Sequence, residues 1–142
     1  MARVVAPLAA QYCVGRGVDI GCGKWPVFGA RAIEDHAEEN AYDIKEEENT
    51  LDFVFSSHTL EHLERWKDAL REWHRVLKPG GTLFLYLPHH ACAMWEKGVN
   101  PQHLWTPTAQ NVQDALRGLD MTIVHVTAQP DGFLSFVVVA QK

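Results

Sequence analysis

Apolar positions along this chain repeat with two different periods, and the change between periods marks out its elements. Period-two or continuous apolar runs bounded by turn residues predict strands over 17–20, 30–34, 51–55 and 82–87. A shorter run, Ala41-Tyr42-Asp43-Ile44, predicts an edge strand within an acidic stretch whose Glu46-Glu47-Glu48 reads as a solvated loop. In 64–77 the spacing changes to threes and fours: Trp66, Ala69, Leu70, Trp73, Val76 and Leu77 fall on one helical face, which makes both tryptophans core residues. Lys78-Pro79-Gly80-Gly81 reads as the cap of that helix. Thr106-Pro107 reads as an N-cap with proline at the first helical position, opening a helix to 116 that Gly118 closes. Runs over 121–127 and 133–140, joined by Gln129-Pro130-Asp131-Gly132, predict a terminal hairpin. A short helix or extended lead-in is expected over 3–12, and a long loop over 88–106.

Alternation of strands with helices and a closing antiparallel pair predicts an α/β fold. It is a Rossmann-like, open, mostly parallel sheet with a C-terminal antiparallel hairpin and a reduced helix complement, in one domain over 1–142. Pro26 and Gly29 leave no room for a long helix after the first strand. The second helix, between the next two strands, is absent as well. Ligands of such sheets bind beyond the carboxyl ends of the strands, where strand order reverses. That rule gathers Gly21, Cys22, Gly23, Lys24, Glu34, Asp35, Asp43, Ser56, Ser57 and His58 along one edge.

Gly17-Val18-Asp19-Ile20-Gly21-Cys22-Gly23 is the stretch on which this edge turns. A buried strand ends there in a bend that exposes backbone, and glycine permits the bend and a close ligand approach. Asp19 stands at the strand end, ready to accept from a cationic or hydroxyl group. Cys22 fits as a small side chain and is expected to be unreactive. Gly-x-Gly alone is a weak signal.

Composition narrows the partners. A hydrophobic fraction of 46% is that of a globular chain, and no apolar run approaches the roughly 20 residues of a bilayer span, so no membrane is expected. Three cysteines without a Cys-x-x-Cys pair, and no secretory pattern at the start, suggest reduced thiols and a cytoplasmic location. A net charge of -5 makes nucleic acid a poor partner.

In their order and spacing, residues 18–23, 51–63, 75–83 and 103–107 together resemble a class I S-adenosylmethionine-dependent methyltransferase. Val18-Asp19-Ile20-Gly21-Cys22-Gly23 is similar to the family's first motif, and residues 51–63, from Leu51-Asp52-Phe53 to Glu61-His62-Leu63, to its fourth strand and following turn. Arg75-Val76-Leu77-Lys78-Pro79-Gly80-Gly81-Thr82-Leu83 resembles the lead into its fifth strand. His103-Leu104-Trp105-Thr106-Pro107 resembles the lead into its last helix. The resemblance implies S-adenosyl-L-methionine as cofactor and a small-molecule acceptor. It also implies roles: Gly21 to Gly23 against the methionine part, Asp19 near its ammonium, Glu34 or Asp35 on the ribose hydroxyls, and Asp43 facing the adenine amino group. Ser56, Ser57 and His58 would wall the site beside the sulfonium. In-line displacement asks chiefly for positioning, with a base only for an acceptor that carries a proton; His58 is the first candidate, His89 and His90 the next. The missing helices leave the adenosine side open or rebuilt by Trp25 and Phe28, and sheet exposed by their loss would favour a homodimer. Trp95 and Trp105 are candidates to line an acceptor pocket or to pack the loop down.

Other readings compete. His58-Thr59-Leu60-Glu61-His62 has the spelling of the inverted zinc peptidase motif, in which two histidines share a helical face with a glutamate base. It begins directly after a buried strand, which is the wrong context, and no metal site is assigned; a pairing of His103 with His89 or His90 lacks fixed ligand spacing. A nicotinamide fold lacks its third glycine. A catalytically reduced methyltransferase-like module serving as a partner subunit is the remaining alternative.

Overall fold

The computed structural model describes residues 2–95, 98–127 and 129–142. Glu96 and Lys97 of the long loop and the Trp95 side chain lie outside the described residues. Six strands form a single sheet in the order β2-β1-β3-β4-β6-β5: β1 is Gly17–Ile20, β2 Ala30–Ile33, β3 Leu51–Ser57, β4 Leu77–Pro88, β5 Thr122–Val126 and β6 Ser135–Gln141. The first four are parallel, and β6 runs antiparallel between β4 and β5. This is the expected Rossmann-like sheet with its antiparallel end.

Alternation along the central strands sorts side chains into two cores. Phe53, Phe55, Phe84, Tyr86, Val137 and Val139 face α1 (Ala6–Tyr12), which contributes Ala9. Val18, Ile20, Val54, Leu83, Leu85 and Val138 face α2 (Trp66–Val76) and α3 (Ala109–Arg117). Both faces of β3 and β4 are therefore covered, which is why those runs are continuously apolar.

No helix stands between β1 and β2 or between β2 and β3. The second gap is filled by a loop pinned to α2: Trp73 Nε1 donates to Ala41 O at 2.8 Å, Glu72 accepts from the Ile44 N–H at 2.9 Å, and the Arg75 guanidinium donates to the carbonyls of Ile44 and Glu46. Within that loop the expected edge strand is reduced to one antiparallel bridge between Asn40 and Asp43, since Ala41 and Ile44 turn inward as anchors instead of extending. The edge strand β2 is bordered by ion pairs of Arg31 with Glu39 and Glu46, a charged border that discourages strand addition.

Two expected caps move. Residues 78–81 are strand, not cap, because Leu77 is already extended (ψ 137°) and pairs with Leu51. The carbonyls at the end of α2 are met from elsewhere: Asn49 N on Arg75 O, Thr50 N on Val76 O, and Lys142 Nζ on His74 O at 2.8 Å. For α3 the N-cap is Thr108, not Thr106. Its hydroxyl accepts from Asn111 N at 3.1 Å, and the Asn111 side chain accepts from Thr108 N at 2.9 Å, a reciprocal capping box. Among the described residues no helix is long and apolar enough to cross a membrane.

Candidate active site

Strands β2 and β3 lie on opposite sides of β1, so strand order reverses at β1 and leaves a crevice beyond its carboxyl end. Two clefts open there and meet at Gly21. One, of about 410 Å³, is lined by Arg3, Asp19, Gly21, Cys22, Trp25, Ser57 and His58. The other, of about 390 Å³, includes Glu34, Asp35, Asn40, Tyr42, Thr59 and His62 in its wall.

Gly21 is the hinge between them. Its φ is +74°, and a Cβ built there would lie 2.1 Å from Thr59 Oγ1, so a side chain would be both strained and obstructed. The Gly21 N–H donates to Ile33 O at 2.8 Å, and Thr59 Oγ1 donates to Ile20 O at 3.0 Å. Glu34 closes the bend from the end of β2: its Oε1 accepts from Gly23 N at 2.7 Å and sits 3.3 Å from Cys22 Sγ. Burial, with the negative charge of Asp19 and contact with Glu34, pushes the Cys22 thiol up to about 12. This thiol is not poised as a nucleophile.

Asp19 sits on the aromatic face of the sheet, in register with Phe55, and is only 1% exposed. Its Oδ2 accepts from Val27 N at 2.8 Å, while Oδ1 is buried with no hydrogen-bond partner among the described residues. Burial pushes the carboxyl up to about 7 against the pull of the Val27 N–H, and the negative charge of Glu34 adds to the rise. An orphaned buried oxygen beside an open cleft suits a ligand that brings a cation.

The other candidates divide. Ser57 and His58 line the first cleft, and Glu34 and Asp35 the second. Ser56 is fully buried and donates to Ile20 O at 3.2 Å, so it ties β3 to β1 and does not wall the site. Lys24 is exposed and belongs to neither wall. Asp43 is held by Lys45 at 2.5 Å, and Asn40, Ala41 and Tyr42 line the cleft in its place. His58, at φ +52°, has Nε2 2.9 Å from Ser135 Oγ and Nδ1 3.3 Å from Glu61 Oε1. With both nitrogens turned to protein groups, its geometry is that of a wall, not of a base facing an acceptor. His89 lies outside both walls, stacked on His90 with centroids 4.3 Å apart; burial first, and the neighbouring His90 second, lower its pKa. Trp105 stacks on Trp66 at 4.1 Å and donates to Leu60 O at 2.9 Å, so it packs the loop down.

Arg3, Thr59 and Tyr42 are wall residues that the sequence did not mark as such, while Trp25, expected on the adenosine side, lines the first cleft. Arg3 reaches the first cleft from ahead of α1 and lies over the Trp25 ring at 5.7 Å. The zinc-peptidase spelling lacks its helix: residues 60–62 form one 3-10 turn after β3, and His58 precedes it in a left-handed conformation.

A sequence comparison with curated proteins gives no match. Solved structures give the fold. A methyltransferase from Archaeoglobus fulgidus described as SAM-dependent superposes with a TM-score of 0.72 at 18% identity, over 100% of this chain and 95% of its own. The 1,6-didemethyltoxoflavin-N1-methyltransferase of Burkholderia thailandensis, solved with 1,6-didemethyltoxoflavin and S-adenosylhomocysteine, gives 0.72 at 18% identity, over 99% and 77%. The [4+2]-cyclase SpnF gives 0.74 at 16% identity, over 99% and 80%, so fold likeness by itself leaves the activity open. The decisive match is to sequence: a family model described as a methyltransferase domain covers residues 2–85, more than half of the chain. The chain therefore belongs to the methyltransferase-domain family, whose cofactor is S-adenosylmethionine.

Proposed function

We propose that this chain transfers a methyl group from S-adenosylmethionine to a small-molecule acceptor by in-line displacement. The observation that carries the proposal is the buried Asp19 carboxylate, with one oxygen left without a hydrogen-bond partner among the described residues, beside a cleft that begins on Gly21. The cofactor supplies an electrophilic methyl on a cationic sulfur and, at its amino-acid end, an ammonium that Asp19 can receive. The exposed bend from Gly21 to Gly23 lets the same end approach its backbone closely, although the Gly21 and Gly23 N–H groups are given to Ile33 O and Glu34. Glu34 and Asp35, in the wall of the second cleft, offer acceptors for sugar hydroxyls.

Ser57, His58 and Trp25 bound the first cleft, and Arg3 brings a cation to it. They exclude water and orient an acceptor, and catalysis by this chain is chiefly positioning. A small molecule is favoured by cleft size and by the small-molecule substrate held in the Burkholderia neighbour. Calorimetric titration with S-adenosylmethionine and S-adenosylhomocysteine tests the reading. Saturable binding of one equivalent of each is expected, weakened at least about tenfold in Asp19→Asn. Absence of saturable heat with both overturns it.

A further inference from the structure

Glu61 and His103 take no part in the proposed methyl transfer, and His62 has so far only a place in the wall of the second cleft. Glu61 and His62 are neighbours in the 3-10 turn after β3, and His103 comes from the loop after β4. Besides the Trp105 bond to Leu60 O, two contacts beside these side chains fasten that loop to the turn: Leu104 N donates to Glu61 O at 2.9 Å, and His62 Nδ1 lies 2.8 Å from Gln102 O. All three side chains bring ligand atoms within 4.8 Å of one another.

The chemistry of each group fits a metal. A carbonyl oxygen only accepts, so His62 Nδ1 carries the hydrogen toward Gln102, and in the neutral ring Nε2 holds the lone pair. That nitrogen is 3.8 Å from Glu61 Oε1. A backbone carbonyl that fixes the far nitrogen is the usual outer support of a metal-ligating histidine. His103 is 3% exposed, and its ring meets the His62 ring edge to face with centroids 4.9 Å apart. Glu61 is fully buried, and among the described residues neither carboxylate oxygen has a hydrogen-bond partner. The His58 ring approaches Oε1 at 3.3 Å, whereas Oε2 accepts no hydrogen bond from the described residues. Buried carboxylates are normally paired, hydrogen-bonded or bound to metal.

We infer that Glu61, His62 and His103 bind one divalent transition-metal ion of the zinc type. Two imidazoles and a carboxylate are a borderline-soft donor set, and three protein ligands leave a fourth position for water or a ligand oxygen. Ligands on bonds of about 2.0–2.1 Å in a tetrahedron are about 3.4 Å apart, so small side-chain rotations close the present cluster. His62 also lines the cleft that holds Glu34 and Thr59, so the ion sits at the border of the cofactor site and clamps the loop after β4 to β3.

The test uses the untagged full chain, stripped with chelator and titrated with Co²⁺ and Zn²⁺. Expected are one equivalent of each and, for Co²⁺, the intense visible absorption of a four-coordinate site. His62→Gln and His103→Gln are each expected to weaken binding at least about tenfold, whereas the double variant His89→Gln/His90→Gln binds as the parent does. Circular dichroism establishes folding of each variant. The parent's cobalt spectrum is decisive without any variant: no absorption, or only the faint absorption of a six-coordinate surface ion, overturns the site. Retained binding in folded His62→Gln and His103→Gln does the same, as does loss in the His89/His90 double variant. Titration of the metal-free chain with S-adenosylhomocysteine keeps this outcome separate from that of the methyl-transfer reading.

Discussion

One oxygen of Asp19 holds the Val27 N–H at 2.8 Å while the other, buried, has no hydrogen-bond partner among the described residues. The first contact braces the segment that replaces a helix after β1, and the second leaves a site for a cation. In the proposed function the two oxygens divide a structural task from a binding one.

That division carries a pH signature. The folded chain holds the Asp19 proton up to about 7, against an ordinary 3.8. Folding therefore takes up a proton between these values, and the ligand-free protein loses stability as pH rises through the interval, with the loss complete above it. Asp19→Asn removes this dependence, and thermal melts from about pH 4 to about pH 8 are expected to fall for the parent and to stay level at this position for the variant. A cationic ligand favours the ionised carboxylate, so affinity for S-adenosylhomocysteine rises toward pH 7 by up to about tenfold per unit and then levels off. An affinity flat across that range contradicts the role given to Asp19.

Gly21→Ala meets two penalties at once, a positive φ and a Cβ 2.1 Å from Thr59 Oγ1. The Thr59 hydroxyl is tied to Ile20 O and does not swing away freely. A loss of about 2–4 kcal/mol is expected in denaturant titrations. Adding Thr59→Ala recovers the steric part and leaves the backbone part. A double variant no more stable than Gly21→Ala refutes the steric explanation.

Trp105 joins the loop after β4 to α2 by its stack on Trp66 and to the turn after β3 by its bond to Leu60 O. Truncation in Trp105→Ala is expected to cost about 3–5 kcal/mol. Trp105→Phe keeps much of the ring contact but leaves the carbonyl without its donor, for about 1–2 kcal/mol. Equal losses in the two variants, read from urea midpoints, mean that the stack contributes nothing.

The sheet was legible because its signals are local. Runs such as Leu51-Asp52-Phe53-Val54-Phe55 state strand and burial within a few residues, and the three-four spacing from Trp66 to Val76 states a helix. The glycine bend and the acidic pair Glu34-Asp35 were legible for the same reason. What escaped depends on contacts far apart in sequence. Asp43 misled because Glu72, Trp73 and Arg75 set the path of the loop around it, and that path turns Tyr42 and not Asp43 to the cleft. Ser56 looked like a site residue until β1 provided its carbonyl. Arg3 carries no local mark at all; only the packing of α1 on the sheet brings it near Asp19. Thr108 took the cap from Thr106 because Asn111 answers it three positions on.

Strand β6 follows β5 in the chain yet lies inside it in the sheet, paired with β4 on one side and β5 on the other. As the polypeptide is synthesised, every earlier strand is complete while β4 still presents an unsatisfied, strongly apolar border. Closure of that border waits on β6. The growing chain therefore passes through a sticky, half-finished sheet, and refolding is limited by this remote pairing more than by the helices.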